Sequence, residues 1–159
     1  MDPFAVFGMP PSLDVDKAWL EARYLELSRA SHPDHHASSG VDAVALLARA
    51  AEVNDSYRIL RDPWQRAARL VELSAPGVLS RRKTLSPDFL DDALELAERV
   101  ARTPRASTEA EALRARLDEL LAQDWRELQR AVAAGEWDAA ATRVHQSRYH
   151  DKARRDLSS

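Results

Sequence analysis

Cysteine is absent from the 159 residues of this sequence. Its absence excludes disulfide bonds, thiolate nucleophiles, and metal or iron–sulfur centres held by cysteine. A strong charge of one sign is also absent, because the formal net charge is only −3 and residues of both signs are interspersed. The sequence therefore does not indicate nucleic acid or an anionic membrane as the main partner.

Long apolar runs and a secretion signal are absent as well. The opening residues, MDPFAVF, carry neither a basic segment nor an extended apolar stretch, and Arg49 interrupts the longest run of small apolar residues. These features predict neither a membrane span nor a signal peptide. We expect a cytoplasmic protein.

Helical periodicity is the dominant signal in the rest of the sequence. Hydrophobic residues make up 45% of the chain, and they recur at steps of three and four. They predict an all-α fold with an N-terminal domain over residues 1–75 and a C-terminal three-helix domain over residues 86–159. A linker is predicted over residues 76–85, where Pro76, Gly77 and a basic triplet interrupt the pattern.

The N-terminal domain is predicted to contain two long antiparallel helices. The first follows Asp14 as its N-cap and ends near Ser31, because the residue before Pro33 is pushed out of the α region. The second runs from about Val41 to Arg61, and a shorter helix begins at Pro63. The predicted buried stripes are Leu20, Tyr24 and Leu27 on the first helix, and Leu47, Ala50, Val53, Tyr57 and Leu60 on the second.

The three C-terminal helices are predicted from capping signals. Ser86 precedes a proline, Thr108 and Glu111 form a capping box, and Gly135 ends the middle helix before the last one starts. His145, on the last helix, has no partner at metal-ligand spacing, and neither has His150, so we interpret both as solvated surface. The predicted buried face of the middle helix is Leu113, Leu117, Leu121, Trp125, Leu128 and Val132.

The segment SHPDHH, between the two long N-terminal helices, concentrates imidazole and carboxylate groups. His32, His35 and His36 with Asp34 are acceptable zinc ligands by type. Adjacent histidines diverge, however, and nothing at helical spacing completes a ligand set. Ser31 beside His32 has no third group to orient a nucleophile. A solvated polar turn is the default interpretation of the segment taken alone.

The order of motifs over the first seventy or so residues resembles a J-domain, the module of J-type co-chaperones. The resemblance implies that the His-Pro-Asp tripeptide docks on a heat-shock chaperone and triggers ATP hydrolysis there, so that this chain needs neither enzymatic activity nor a cofactor. Ser31 departs from the pattern, which has an aromatic residue there. The matching residues are Phe4, Phe7, Gly8, Tyr24, Leu27, His32, Pro33, Asp34, Asn54, Tyr57, Leu60, Asp62, Pro63 and Arg66.

The helix before the tripeptide usually presents basic residues to the chaperone in this family. The resemblance makes Lys17, Arg23 and Arg29 the candidates here, beside His32, Pro33 and Asp34. The partner it implies is a chaperone of the HscA/DnaK class, contacted on its nucleotide-binding side.

The helix PDFLDDALELAERVAR carries a second apolar strip. Phe89, Ala93, Leu96 and Val100 form a complete core stripe, whereas Leu90 and Leu94 lie on an adjacent face beside acidic residues. On the residues alone, this strip either widens the core or forms a docking surface, and the wider core is favoured because large apolar side chains are usually buried.

A J-domain followed by this acidic-apolar helix and a W-D-A-A-A…R-Y-x-D-K ending resembles HscB, the iron–sulfur-cluster co-chaperone family, over nearly the whole chain. The resemblance implies that the C-terminal domain binds an IscU-type scaffold protein, and it favours a docking surface. The residues that match are Leu90, Leu94, Glu95, Glu98 and Tyr149.

Other functions remain as alternatives to a scaffold-binding co-chaperone. A J-protein of the same architecture could serve a different client. A metal-dependent hydrolase centred on His32, His35 and His36 and a plain helical structural protein are the alternatives from other classes.

Overall fold

Helices form all the regular structure in the residues described by the computed structural model, which are 1–32, 34 and 42–158. The all-α prediction is therefore confirmed. None of the helices in these ranges combines the length and apolar character that a membrane crossing requires. The helices are α1 (Pro3–Phe7), α2 (Lys17–Ala30), α3 (Ala43–Arg61), α4 (Pro63–Ser74), α5 (Val78–Arg81), α6 (Pro87–Arg102), α7 (Thr108–Ala133) and α8 (Trp137–Ser158).

Capping side chains decide where the long helices begin, and two of the predicted caps were wrong by one or two residues. Helix α2 starts after Asp16, not Asp14, because Oδ1 of Asp16 accepts a hydrogen bond from the amide of Trp19 at 2.9 Å. Helix α7 starts after Ser107, whose hydroxyl accepts from the Ala110 amide at 3.1 Å, so Thr108 is the first helical residue and not the cap. Ser86 caps α6 as predicted.

The chain divides into two units, Met1–Leu73 and Ser74–Ser159. In the first unit, α1 and α2 pack on α3. The prediction that Leu47 belongs to the buried stripe of α3 was wrong, because its side chain is 62% exposed and Leu46 is buried in its place. The buried side chains at the centre of this unit are Phe4, Phe7, Leu20, Val53 and Leu60.

Arg66 of α4 is a buried charged residue in the first unit. Its Nε donates to the carbonyl oxygen of Leu13 at 2.8 Å, and its Nη1 donates to that of Leu60 at 2.5 Å. Burial lowers the pKa of Arg66 from its usual value, while the charges of Asp14 and Asp62 act in the opposite direction. The guanidinium stays charged at neutral pH and ties α4 to the segment before α2 and to the end of α3.

The second unit consists of α5 to α8. Helix α8 packs along α7 and also contacts α5 and α6. The predicted α7 face was displaced by about one residue at its middle, because Asp124 is buried and Trp125 is half-buried. The main apolar cluster is Val100, Ala110, Leu113, Leu117, Ala153 and Leu157.

Residues 76–85, predicted as a linker, contain α5 and belong to the second unit. The side chains of Val78 and Leu85 are buried in that unit. The prediction of a solvated His145 was also wrong, since its Nε2 lies 2.7 Å from the carbonyl oxygen of Leu79. A proline, a glycine and a basic triplet therefore mark a short helix here, not an unpacked connection.

Replacing Arg66 by methionine should destabilise the first unit by roughly 2–4 kcal/mol, because two buried carbonyl groups lose charge-assisted hydrogen bonds. Amide hydrogen exchange of α2 and α3 measures this for the first unit separately from the second. The matched control is Arg58→Met, which removes only an exposed ion pair with Asp55 and should cost less than about 0.5 kcal/mol. Equal protection in the two variants would contradict the role assigned to Arg66.

Candidate functional site

The end of α2 places His32 and Asp34 on the protein surface. The amide of His32 donates to the carbonyl oxygen of Arg29 at 3.2 Å, which extends the last helical turn. The Asp34 amide donates to Nδ1 of His32 at 3.2 Å, so this ring nitrogen acts as an acceptor. The local backbone therefore orients the imidazole, while the Asp34 carboxylate stays exposed. Pro33 lies outside the described residues.

Ser31 is the point at which the sequence departs from the J-domain pattern. Its side chain is buried, and its hydroxyl donates to the carbonyl oxygen of Leu27 at 2.8 Å. The hydroxyl thus satisfies its hydrogen-bonding requirement within its own helix. A small residue is accommodated at this position without leaving a buried polar group unpaired.

An aromatic and hydrogen-bonded contact joins α2 to α3 in the first unit. The rings of Tyr24 and Tyr57 stack with centroids 4.1 Å apart, and Phe7 of α1 lies 6.5 Å from Tyr57. The Tyr24 hydroxyl donates to Oδ1 of Asn54 at 2.7 Å. Tyr24, Asn54 and Tyr57, which all belong to the J-domain pattern, therefore form a clamp between the two long helices.

The three cations predicted on α2 do not form a single patch. They are spaced six residues apart, so at about 100° per residue they point in directions about 120° apart around the helix axis. Arg23 is half-buried, and its Nε donates to the carbonyl oxygen of Phe7 at 3.1 Å while Nη1 pairs with Glu26 at 3.0 Å. Lys17 and Arg29 are exposed.

The metal-site alternative involves residues that the structure does not describe. His35 and His36 lie outside the described ranges, and only His32 and Asp34 of that cluster are within them. Within residues 1–32, 34 and 42–158, no group of three or more histidine or acidic side chains is arranged to hold a metal ion.

The outer side of α6 and the adjacent part of α8 form an exposed apolar surface with an acidic edge. Leu90, Leu94 and Tyr149 are 37%, 60% and 47% exposed, respectively. The side chains of Glu95 and Glu98 on α6 are exposed as well, and Glu95 also lines the groove between α6, α7 and α8. The wider core that the residues alone favoured is therefore wrong for Leu90 and Leu94. We call these five residues the α6–α8 face.

Phe89 connects the two helices of this face. Its ring meets that of Tyr149 edge to face at 5.8 Å and that of His150 at 5.6 Å. His150 was predicted to be solvated, which is wrong, because it is only 8% exposed and its Nδ1 lies 2.6 Å from Oδ2 of Asp124. Oδ1 of Asp124 accepts from Nη1 of Arg143 at 3.1 Å. The Asp124–His150 pair thus lies directly behind the α6–α8 face.

Sequence reasoning missed this pair because the two residues are distant along the chain. One signal was available: Asp124 falls between Leu117 and Leu128, at helical spacing from both buried leucines. A buried carboxylate requires a donor, and a histidine on a neighbouring helix is a suitable one.

Comparison with known proteins covers both units. The family model described as the HSCB C-terminal oligomerisation domain matches residues 85–158. The chain is 32% identical to co-chaperone protein HscB of Proteus mirabilis, over 94% of this chain and 89% of that protein. It is also 32% identical to a co-chaperone protein HscB homolog of Neisseria meningitidis serogroup C (strain 053442), over 98% and 96% of the two chains. This chain belongs to the HscB co-chaperone family.

Solved HscB structures agree with the fold. The chaperone HscB from Vibrio cholerae superposes with a TM-score of 0.83 at 25% identity, over 99% of this chain and 96% of that one. Human co-chaperone protein HscB superposes with a TM-score of 0.84 at 21% identity, over 99% of this chain and 81% of that one. At this identity the likeness concerns the fold alone. The prediction of a J-domain followed by a helical C-terminal domain is confirmed, and so is membership in a co-chaperone family of iron–sulfur cluster biogenesis.

Two substitutions on α6 should separate its surface from its core. Leu94→Ser should change the free energy of unfolding by less than about 0.5 kcal/mol, since the side chain is already exposed. Val100→Ala removes two buried methyl groups from the apolar cluster and should cost roughly 2 kcal/mol. The measurement is thermal unfolding, monitored through spectroscopic signals of the second unit. An equal loss of stability in both variants would contradict the assignment of the two faces.

Proposed function

We propose that this protein binds an IscU-type iron–sulfur scaffold protein through the α6–α8 face. It delivers the scaffold protein to an HscA/DnaK-class heat-shock chaperone, and its His32-Pro33-Asp34 loop stimulates the ATPase of that chaperone. The observation that carries this proposal is the exposure of Leu90, Leu94 and Tyr149, together with that of Glu95 and Glu98 on α6. A folded C-terminal unit that leaves three large apolar side chains on one surface has a face suited to a protein partner.

The surface proposed to contact the chaperone is polar. Asp34 offers an exposed carboxylate that can accept a charge-assisted hydrogen bond from a cation of the chaperone. Arg29 lies next to the loop and can pair with an acidic group. Lys17 lies twelve residues earlier on α2, which corresponds to about 18 Å along the helix axis. Arg29 therefore belongs to the central contact, whereas Lys17 contributes only where the chaperone surface extends along the helix.

Arg23 has a different part in this proposal. Its guanidinium already joins α2 to α1 through the carbonyl group of Phe7, so its first contribution is to hold the hairpin in shape. The exposed remainder of its side chain adds positive charge near the chaperone. We assign Arg23 mainly to the structure of the J-domain and only secondarily to chaperone contact.

The α6–α8 face supports a contact of modest affinity. Fully burying two leucines and a tyrosine from a solvated state would contribute roughly 5–8 kcal/mol. Leu90, Leu94 and Tyr149 are already partly covered, so about half of that gain is left for binding. It is comparable to the association cost of at least about 4 kcal/mol. The acidic edge must therefore contribute, and release of the scaffold protein to the chaperone is easy.

His32→Gln should reduce stimulation of the chaperone ATPase at least tenfold, because glutamine cannot reproduce the oriented imidazole at the end of α2. Scaffold binding measured by calorimetry should be unchanged in the same variant. Asp34→Asn should also reduce ATPase stimulation. Its matched control is Asp55→Asn, which replaces an exposed aspartate on α3. Normal stimulation by His32→Gln would refute the assignment of the loop.

Replacing Leu90, Leu94 and Tyr149 with alanine should weaken scaffold binding at least tenfold, or about 1.4 kcal/mol, because the apolar part of the face is lost. ATPase stimulation measured without the scaffold protein should stay normal. Val44→Ala with Leu47→Ala is the control, since both side chains are exposed on α3. Undiminished scaffold binding in the triple variant would reject the scaffold assignment and favour a J-protein with a different client.

A further inference from the structure

We propose that Asp124 and His150 position the two halves of the α6–α8 face relative to each other, acting through the ring of Phe89. The proposal rests on the proposed scaffold-binding function, and it adds residues that lie behind the face and do not belong to it. Both act as positioning residues, because Asp124 is 1% exposed and His150 is 8% exposed. Neither side chain presents enough surface to form a contact of its own with a partner.

Helix α6 needs such positioning because it is firmly packed only near its C-terminal end. Val100 is buried in the cluster with Leu113, Leu117 and Leu157, and Leu96 packs against that cluster. Towards the N-terminus of α6 the side chains that point inwards are only half-buried. An open groove of about 410 Å³ runs between α6, α7 and α8, and Phe89, Ala93 and Leu96 line it on the α6 side. Leu90 and Leu94 are therefore on the less supported half of the helix.

Phe89 provides a contact between this half of α6 and α8. Its ring meets Tyr149 at 5.8 Å with an interplanar angle of 82° and His150 at 5.6 Å with an angle of 63°. Edge-to-face contacts of this kind depend on the relative orientation of the rings. Because Leu90 follows Phe89 directly and Tyr149 precedes His150, this three-ring group sets the spacing between the α6 half and the α8 half of the face.

Asp124 fixes the orientation of the imidazole in this group. Its Oδ2 lies 2.6 Å from Nδ1 of His150, and its Oδ1 is occupied by Arg143 at 3.1 Å. With both oxygens engaged, the carboxylate has one favourable orientation, and the imidazole is held in the plane that this orientation requires. A displacement of the imidazole would alter its contact with Phe89, and through Phe89 the placement of Leu90 and Leu94.

The test is a double-mutant cycle between His150 and Tyr149, read as affinity for an IscU-type scaffold protein by calorimetry. His150→Leu alone should lower the affinity about tenfold. In the Tyr149→Ala background the same substitution should change it less than twofold, because once the α8 half of the face is removed, the position of the α6 half relative to it no longer affects binding. An unchanged affinity in the single variant, or an equal loss in both backgrounds, would overturn the proposal.

A control separates positioning from a general loss of stability. Val144→Ala alters another buried side chain of α8, and its thermal unfolding can be compared with that of His150→Leu. We expect Val144→Ala to lower the melting temperature while leaving scaffold affinity within twofold of the unmodified protein. A parallel loss of affinity in Val144→Ala would show that His150 acts only through stability, and the proposal would fail.

A second measurement uses the free protein, so it is independent of the scaffold protein. In Asp124→Ala, the nuclear Overhauser contact between the ring protons of Phe89 and Tyr149 should weaken at least twofold. An unchanged contact would overturn the positioning role. If the unmodified chain does not bind the scaffold protein at all, the proposed function fails, and this measurement still decides whether Asp124 orders the rings. His150→Leu replaces Asp124→Ala in this measurement if the latter does not fold.

Discussion

Both units of this protein depend on the constraint that a buried charge must be fully hydrogen-bonded. Arg66 in the first unit and Asp124 in the second are nearly inaccessible to solvent. An unpaired charge in such a position costs several kcal/mol, so the groups that satisfy it must be brought to it. For Arg66 these groups are backbone carbonyls before α2 and at the end of α3. For Asp124 they are two side chains of α8.

The two candidate surfaces differ in their chemistry. The end of α2 offers polar groups oriented by backbone hydrogen bonds. The clamp of Tyr24, Tyr57 and Asn54 joins α2 to α3 in the middle of the hairpin, at a distance from that end. The α6–α8 face offers apolar side chains on helices that are joined by the ring of Phe89. The proposed chaperone contact therefore depends on charge and backbone geometry, whereas the proposed scaffold contact depends on the relative position of two helices.

The HscB family assignment and the individual sites rest on different kinds of observation. The order of motifs in the first half and the acidic-apolar helix in the second are linear features, and the relatives bear out what they imply about the family. The residues proposed to contact partners remain proposals. The structure refines them, because it separates Arg23, which is committed to Phe7, from Arg29, which is exposed near the loop.

The sequence by itself determined the helical class and the approximate helices, because helical periodicity and capping residues are encoded within a few residues of one another. Both candidate surfaces were predicted from the family resemblance, and the residues alone favoured a buried position for Leu90 and Leu94. The sequence did not determine that Leu46 and not Leu47 is buried, or that residues 76–85 pack in the second unit. It also placed His150 on the surface. Those outcomes depend on which helix lies opposite, since the partner of His150 is twenty-six residues away on α7. Only tertiary packing brings that carboxylate and that imidazole together.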